Sequence, residues 1–249
     1  MKRLTWTIVT LAFVCMAASG PAGAITSAQI LARVKAAEAS LKDMGAQMEI
    51  VSANKKNISE MGAGYSDIVG LEKGIISYKK PDKFRMDGYA KGIKASLIQN
   101  GYKKLVLAAM IRQIDDVKNK PGKRFDTLDL GFLSSKLWTD NTVTIIGSAT
   151  GPTVQLKLVP KSTEKDKRHD KVWLDVNTLK LLKREKYRGS GEMRIRYVYS
   201  DFEKLTAKLP IATTSTMFNP SGERMGTVTY RNVKANVGLA DSIFSLSQR

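Results

Sequence analysis

Tyr230-Arg231-Asn232-Val233-Lys234-Ala235-Asn236-Val237-Gly238-Leu239-Ala240-Asp241-Ser242-Ile243-Phe244 closes the last run of alternating strand residues in the chain. The alternation then gives way to Asn-x-x-Leu-x-Asp-x-x-Phe, formed by Asn236, Leu239, Asp241 and Phe244. A strand that alternates in this way belongs to a sheet with one apolar face, and such a face must be covered by protein or by a ligand. What covers it is the functional question.

Working back from this stretch, the same period-two pattern recurs. Segments 211–218 and 225–233 flank the turn Asn219-Pro220-Ser221-Gly222, and 179–187 and 192–199 flank Gly189-Ser190-Gly191. Upstream lie 171–176, 154–160 and 142–147, then 104–110 and 93–99 around Asn100-Gly101, a strong hairpin signal. Segment 83–89 follows the turn Lys80-Pro81-Asp82, and 65–79 reads as one long Gly-interrupted strand or two short ones. Segment 47–52 is the first strand, and 53–63 reads as a loop. Residues 111–141 break the rhythm: 112–124 is polar and basic, and 125–138 predicts one or two short helices with Asp126 available as a cap. The expectation is a mainly β domain over residues 25–249, an antiparallel meander of roughly ten to eleven strands with a helical lid.

The lid comes from the N-terminal side. Thr26 or Ser27 can cap a helix. Ile30, Val34, Ala37, Leu41 and Met44 recur at helical spacing as one apolar stripe, with Arg33, Lys35, Glu38 and Lys42 elsewhere, and Gly45 is the predicted stop. On the sheet, alternation assigns Phe84, Met86, Leu97, Leu105, Leu107, Leu156, Leu158, Val172, Leu174, Val176, Met193 and Ile195 to one face. One helix and a short helical segment are a small cover for so wide a sheet, which leaves an apolar cleft. Its predicted lining is Phe84, Met86, Leu97, Leu105, Leu156, Leu158 and Leu174. Met44, Met48, Met86 and Met110 suit a cleft that accepts disordered chains, because thioether side chains repack easily.

The first residues read as an export leader. Met1-Lys2-Arg3 is basic, 4–18 is apolar but too short to span a bilayer, and Ala22-Gly23-Ala24 is a small-x-small site, predicting cleavage after Ala24 and a periplasmic protein. The sole cysteine, Cys15, lies in the leader behind Val14, a poor fit to a lipobox. The formal charge is +18, and removing Lys2 and Arg3 leaves +16. That excess suits an anionic membrane surface or an acidic protein.

Catalytic groups are scarce. The one histidine, His169, sits among charges in Lys165-Asp166-Lys167-Arg168-His169-Asp170. There is no Gly-x-Ser-x-Gly elbow, phosphate loop or Cys/His metal cluster, and Asp115-Asp116 lies in a polar stretch. The reading is a non-enzyme without cofactor or metal. Arg184, Lys186, Arg188, Arg194 and Arg196 interleave with Tyr187, Tyr197 and Tyr199, yet alternation separates Arg194 and Arg196 from the apolar and aromatic face. A stacking platform needs cations and rings together, so nucleic acid is not the expected partner.

In order along the chain, several segments resemble the LolA-like periplasmic lipoprotein carriers. They are the amphipathic first helix, Lys80-Pro81-Asp82-Lys83-Phe84-Arg85-Met86, Ser96 to Leu105 with its Asn-Gly-Tyr-Lys hairpin, Leu156-Lys157-Leu158-Val159-Pro160-Lys161, Val172-Trp173-Leu174-Asp175, and the closing Asn236 to Phe244 motif. The resemblance implies a half-open antiparallel barrel under a helical lid. It implies a carrier that moves lipoprotein acyl chains from an inner-membrane transporter to an outer-membrane receptor, with transient contact to anionic membrane. Phe84 matches the family's cavity-facing aromatic, and Met86 stands where the family often has Trp. Lys80 stands where carriers have a lid-closing Arg, and Lys lacks the forked guanidinium contact. The lid set is therefore Ile30, Val34, Leu41, Met44 and Lys80, with Arg85 as an alternative clasp. The strand pair 211–233 is longer than in a typical carrier and suggests a side branch. Related folds also act as receptors and stress-sensing regulators. The alternative function is therefore an envelope regulator or scaffold that binds an acidic protein or anionic membrane through its basic sheet face.

Overall fold

The computed structural model describes residues 23–59, 71–90, 92–161 and 167–248. Residues 1–22 of the predicted leader, and the part of the predicted 65–79 strand before residue 71, lie outside them.

The first helix, α1 (Ser27–Ala37), opens on a capping box. Gln29 N donates to Thr26 Oγ1 at 3.2 Å, and the Gln29 side chain accepts from Thr26 N at 2.8 Å. Ile30, Val34 and Ala37 are buried as the stripe predicts. The helix stops at Ala37, however, well before Gly45. Leu41 lies in the turn that follows, and Met44 belongs to the first strand, β1 (Asp43–Ala53). Both are still buried. A distant clasp ends the helix. Asn236 Nδ2 donates to Ser40 O at 2.9 Å, its Oδ1 accepts from Lys42 N at 2.8 Å, and its backbone N donates to Asp43 O at 2.7 Å. Strand pairing at this point overrides a helical spacing that the sequence alone would continue.

Twelve more strands follow: β2 (Leu71–Lys79), β3 (Lys83–Ala90), β4 (Ile93–Asn100), β5 (Lys103–Ala108), β6 (Ile111–Asp116), β7 (Asn141–Ile146), β8 (Thr153–Pro160), β9 (His169–Asp175), β10 (Leu181–Tyr187), β11 (Met193–Lys204), β12 (Pro210–Phe218) and β13 (Arg224–Ala235). They form one antiparallel sheet in the order β6-β5-β4-β3-β2-β1-β13-β12-β11-β10-β9-β8-β7. The chain starts mid-sheet, runs out to one edge, crosses to the opposite edge and returns to pair β13 with β1. Among the described residues the sheet has 13 strands, more than expected, and stays unclosed, with β6 and β7 as its edges. The unforeseen strand is β6, which lies where the strand rhythm breaks. It is almost wholly exposed, so neither face imposes an apolar alternation.

The connection between the two edges, residues 117–140, carries the short helix α3 (Lys136–Asp140) and lies across the inner face. Leu128, Leu130, Phe132, Leu133 and Leu137 from this crossover share the main core with Ile30, Val34, Ile76, Phe84, Leu156 and Leu174. A short helix, α2 (Lys55–Ser59), packs Ile58 against Ile195 and Met225.

The outer face has its own small core, made by the closing motif. Asn236 and Gly238 adopt positive φ, 56° and 77°, so the chain turns sharply off β13. Asp43 accepts from Gly238 N at 3.2 Å and Leu239 N at 3.1 Å. Asp241 pairs with Lys79 and Lys83, both at 2.9 Å. Phe244 is fully buried against Ile98 and Leu105. This corrects Leu105 as a cleft residue: Leu105 pairs with Ile98, and Leu97 with Val106, so Leu105 and Leu107 face away from the lid. Arg85 is likewise no lid clasp. It is bound to Asp87 and donates to Ile243 O at 2.7 Å and Gln248 Oε1 at 2.8 Å, which ties down the C-terminal tail.

Candidate functional site

The inner face is only partly filled. Where α1 lies, it is dry: Leu156 and Leu174 are 1 % and 0 % exposed, within the same cluster as Ile30 and Val34. Ser27 Oγ donates to Val143 O, Trp138 Nε1 donates to Ser27 Oγ (each 3.0 Å), and Arg33 Nη1 donates to Val176 O at 2.9 Å. These contacts fix α1 over the β7–β9 end of the sheet.

Away from α1, the inner face lines a cavity of about 620 Å³. Its wall is largely apolar: Met48, Ile76, Phe84, Met86, Leu97, Val106, Phe125, Tyr197, Met217 and Val228. A second lobe of about 440 Å³ adjoins it, walled by Tyr78, Phe84, Tyr102, Phe125 and Leu158, and by many charged groups. Of the predicted cleft, Phe84 lines both lobes, Met86 and Leu97 line the apolar one, and Leu158 lines the charged one. Leu156 and Leu174 are structural core instead, and Leu105 is on the outer side. Met48 and Met86 line the cavity as their softness suggests, whereas Met44 is core and Met110 is 99 % exposed in a turn. Residues not foreseen are Ile76, Val106, Phe125, Tyr197, Met217 and Val228. Met217 and Val228 sit on predicted strands, so the alternation could have found them. Phe125 stacks on Phe84 at 4.9 Å, a contact that needs the crossover in place.

The crossover is bolted down by a group that, from the sequence alone, reads as one of a row of surface cations. Arg184 is 2 % exposed. It donates to Asp126 at 2.9 Å, Asp129 at 2.8 Å and Asp170 at 2.6 Å, joining the crossover to β9 and β10. Burial opposes its charge, but the three carboxylates outweigh that and hold the guanidinium firmly protonated. Tyr199 donates to Leu128 O at 2.8 Å and Tyr230 to Asp129 O at 3.1 Å. Gln99 exchanges two hydrogen bonds with the Phe125 backbone. Gly131, at φ 83°, lets Ala212 N donate to Gly131 O at 2.9 Å. A Cβ there would fall 2.8 Å from Ala212 O.

Lys80 meets α1 as a single donor. Its Nζ donates to Glu38 O at 3.0 Å and lies 3.8 Å from Glu38 Oε1. The Glu38 carboxylate accepts from the backbone N and hydroxyl of Ser135, just before α3. One lysine thus links the β2–β3 turn to the lid through a carbonyl and a carboxylate.

Arg194 also departs from its predicted face. The β10–β11 ladder pairs Lys186 with Ile195 and then Tyr187 with Met193, leaving Arg194 as the extra residue of a bulge. Its side chain lines both lobes. Arg196 keeps the outer face, donating from Nε to Glu185 Oε1 at 3.1 Å. His169 stacks on Tyr187 at 4.7 Å in the charged lobe's wall, and burial lowers its pKa below the usual value. Among the described residues, no group of His, Cys, Asp and Glu side chains could hold a metal ion, and no helix is long and apolar enough to cross a membrane.

Solved structures share this architecture. A LolA superfamily protein from Nitrosomonas europaea aligns at TM-score 0.61 and 16 % identity, over 89 % of this chain and 98 % of that one. A structure described as an outer-membrane lipoprotein-sorting protein domain, from Vibrio parahaemolyticus, aligns at 0.59 and 16 %, over 87 % and 95 %. A DUF1329 family protein from Desulfovibrio piger aligns at 0.51 and 13 %, over 87 % and 94 %. No curated protein matches the sequence. A family model described only as an uncharacterized protein matches residues 118–248, more than half the chain, so the protein belongs to that family and has a divergent LolA-like fold.

Proposed function

We propose that this protein is a non-enzymatic periplasmic carrier that binds the acyl chains of lipoproteins or other lipids and moves them toward the outer membrane. The observation that carries the reading is the apolar lobe of about 620 Å³ between sheet and crossover. Its size falls in the range of about 300–1,000 Å³ common to small-ligand sites. Each methylene taken from water into it would contribute about 0.8 kcal/mol. The methionines at 48, 86 and 217 give the wall a surface that adapts to a mobile chain. The basic, then apolar N-terminal sequence ending in Ala22-Gly23-Ala24 and the similarity to a lipoprotein-sorting domain support this reading, in which a leader is cleaved after Ala24 and residues 25–249 form a single domain. Passage of cargo would involve an inner-membrane transporter and an outer-membrane receptor, with brief contact to anionic membrane.

The regulator or scaffold reading needs Arg194 and Arg196 on one outer face. Arg194 lines the cavity, so that surface is weaker than the alternation suggests. Native mass spectrometry of protein purified from periplasm should find bound lipid. Ala95→Trp, projecting into the lobe, should abolish acyl-peptide protection of the crossover in hydrogen exchange. A chain that never carries lipid and gains no protection from an acylated peptide sinks the carrier reading.

A further inference from the structure

The floor of the apolar lobe runs on past its cover. Every second residue of a strand keeps one face, so the ladder register lets that face be followed row by row across β3 to β6. Met86, Leu97, Val106 and Gln113 form one row, and all four line the lobe. Gly88, Ala95, Ala108 and Ile111 form the next row, toward the β3–β4 and β5–β6 turns. Ala95 still lines the lobe, whereas Ile111 is 60 % exposed. One more step along β4 reaches Ile93, 49 % exposed. Leu97, Ala95 and Ile93 thus make an apolar strip about 13 Å long, from the lobe to the end of the sheet.

The turn beside this strip is also apolar. Ala108 pairs with Ile111, so Ala109 and Met110 alone connect β5 to β6. Two-residue turns of this kind favour Gly, Asn and Asp, which accept positive φ and face water. Here Ala109 adopts φ 49°, and Met110 is almost wholly exposed. Met110 packs into none of the three cores, so the fold itself does not require its apolar side chain. A run of apolar residues at an exposed tip, Ala108-Ala109-Met110-Ile111, is the mark of a surface that meets a partner. On the outer face of the same end, exposed Tyr89 stands across from Lys94 on the neighbouring strand. A tyrosine ring beside a lysine suits the boundary between acyl chains and headgroups, where the ring sits at the interface and the ammonium reaches back to water.

We propose that this end of the sheet docks on an anionic lipid bilayer. Met110, Ile111 and Ile93 enter the boundary between headgroups and acyl chains, with Tyr89 and Lys94 at headgroup level. The strip from Ile93 to Leu97 then gives an acyl chain a path between bilayer and lobe that does not cross water. The formal charge of +16 without Lys2 and Arg3 draws the chain to an anionic surface at long range, because net charge sets that field whatever ion pairs form locally. The same charge opposes a second copy of the chain as the occupant. This inference rests on the carrier reading above and adds the surface through which cargo is exchanged.

The test uses vesicles of phosphatidylethanolamine with phosphatidylglycerol, and vesicles of phosphatidylcholine alone. Met110→Cys and, at the opposite end of the sheet in the β11–β12 turn, Ala207→Cys each carry an environment-sensitive dye. The dye at position 110 should shift to the blue on the anionic vesicles, and the dye at 207 should not. Met110→Asp with Ile111→Asp should weaken vesicle binding at least about tenfold, as the loss of one large apolar side chain from the interface would. Circular dichroism melts verify that the variant is folded, and the two labelled proteins report without it. Vesicle binding that leaves the dye at 110 unshifted, or that survives both aspartates, overturns the docking surface. Equal binding to phosphatidylcholine overturns the anionic partner. A dimer in sedimentation that shifts the dye at 110 without vesicles shows a second copy in its place and overturns the membrane. Bound lipid in a chain that never meets vesicles overturns the docking surface and leaves the carrier reading standing. Vesicle docking through position 110 by a chain that never carries lipid sinks the carrier reading and leaves the docking surface standing.

Discussion

The two ends of the inner face carry similar residues with opposite outcomes. At the β7–β9 end, Leu156, Val172 and Leu174 are sealed into the core shared with Ile30, Val34 and the crossover leucines. Toward β3, β4, β12 and β13, Met86, Leu97, Met217 and Val228 line open space. Strand alternation reads the same in both regions. The difference lies in the cover: α1 spans only 11 residues and is fixed over one end, while the crossover is bolted across the middle. Sheet sidedness therefore does not by itself distinguish a binding wall from a packed core.

The largest effect expected concerns the bolt between the two ends. Arg184→Ala should cost about 3–5 kcal/mol, because it leaves buried carboxylates without their cation. Urea unfolding measures it, and a loss below about 1 kcal/mol would mean that the crossover is held by something other than this cluster. A direct test of the comparison comes next. Leu174→Ala should cost about 2–5 kcal/mol, as a buried truncation does, whereas Leu97→Ala, already beside a cavity, should cost about 1 kcal/mol or less. Equal losses would show that the open end is packed in solution.

Smaller still is Lys80→Gln, at about 1 kcal/mol for a partly exposed contact. Hydrogen exchange should quicken at the C-terminal end of α1 and leave the β11–β13 strands unchanged. Exchange that quickens across the whole sheet would show that Lys80 supports the core, not the lid. The smallest effect concerns pH and the outer face. Burial raises the Asp87 pKa, but hydrogen bonds from Arg85 and Ser96 outweigh it and hold the carboxyl below its usual value. The stability this provides is present above the ordinary carboxylate range and is lost as pH falls through the depressed folded value. The C-terminal tail should loosen in acid first where Arg85 holds Ile243 and Gln248. Asp87→Asn should remove that pH dependence, and an unchanged acid profile in the variant would assign it elsewhere.

Much of the architecture was legible in the chain. The Thr26 cap, the buried stripe of Ile30, Val34 and Ala37, the Asn100-Gly101 hairpin and the inner position of Phe84 and Met86 all follow from local rules. The failures have separate physical causes. The exposed edge strand β6 has no buried face to impose a pattern. Leu105 obeys the alternation of its strand, but the side it faces is set by its register with Ile98 and by Phe244 arriving from the far end of the chain. Arg194 changed sides through a one-residue bulge, which no alternation rule detects. Arg184 reads as a surface cation until the crossover brings Asp126 and Asp129 against it.

The sequence by itself determined that the chain is an antiparallel sheet of alternating strands begun by an amphipathic helix. It also marked the closing motif of Asn236, Leu239, Asp241 and Phe244 as the end of that sheet. Only the tertiary structure decided what that motif does: it ends the first helix, ties down the outer face and touches neither cavity lobe. Periodicity fixes which residues share a face because it is a property of neighbouring residues. Whether that face is filled or left open depends on contacts between residues more than a hundred positions apart, and those exist only in the folded chain.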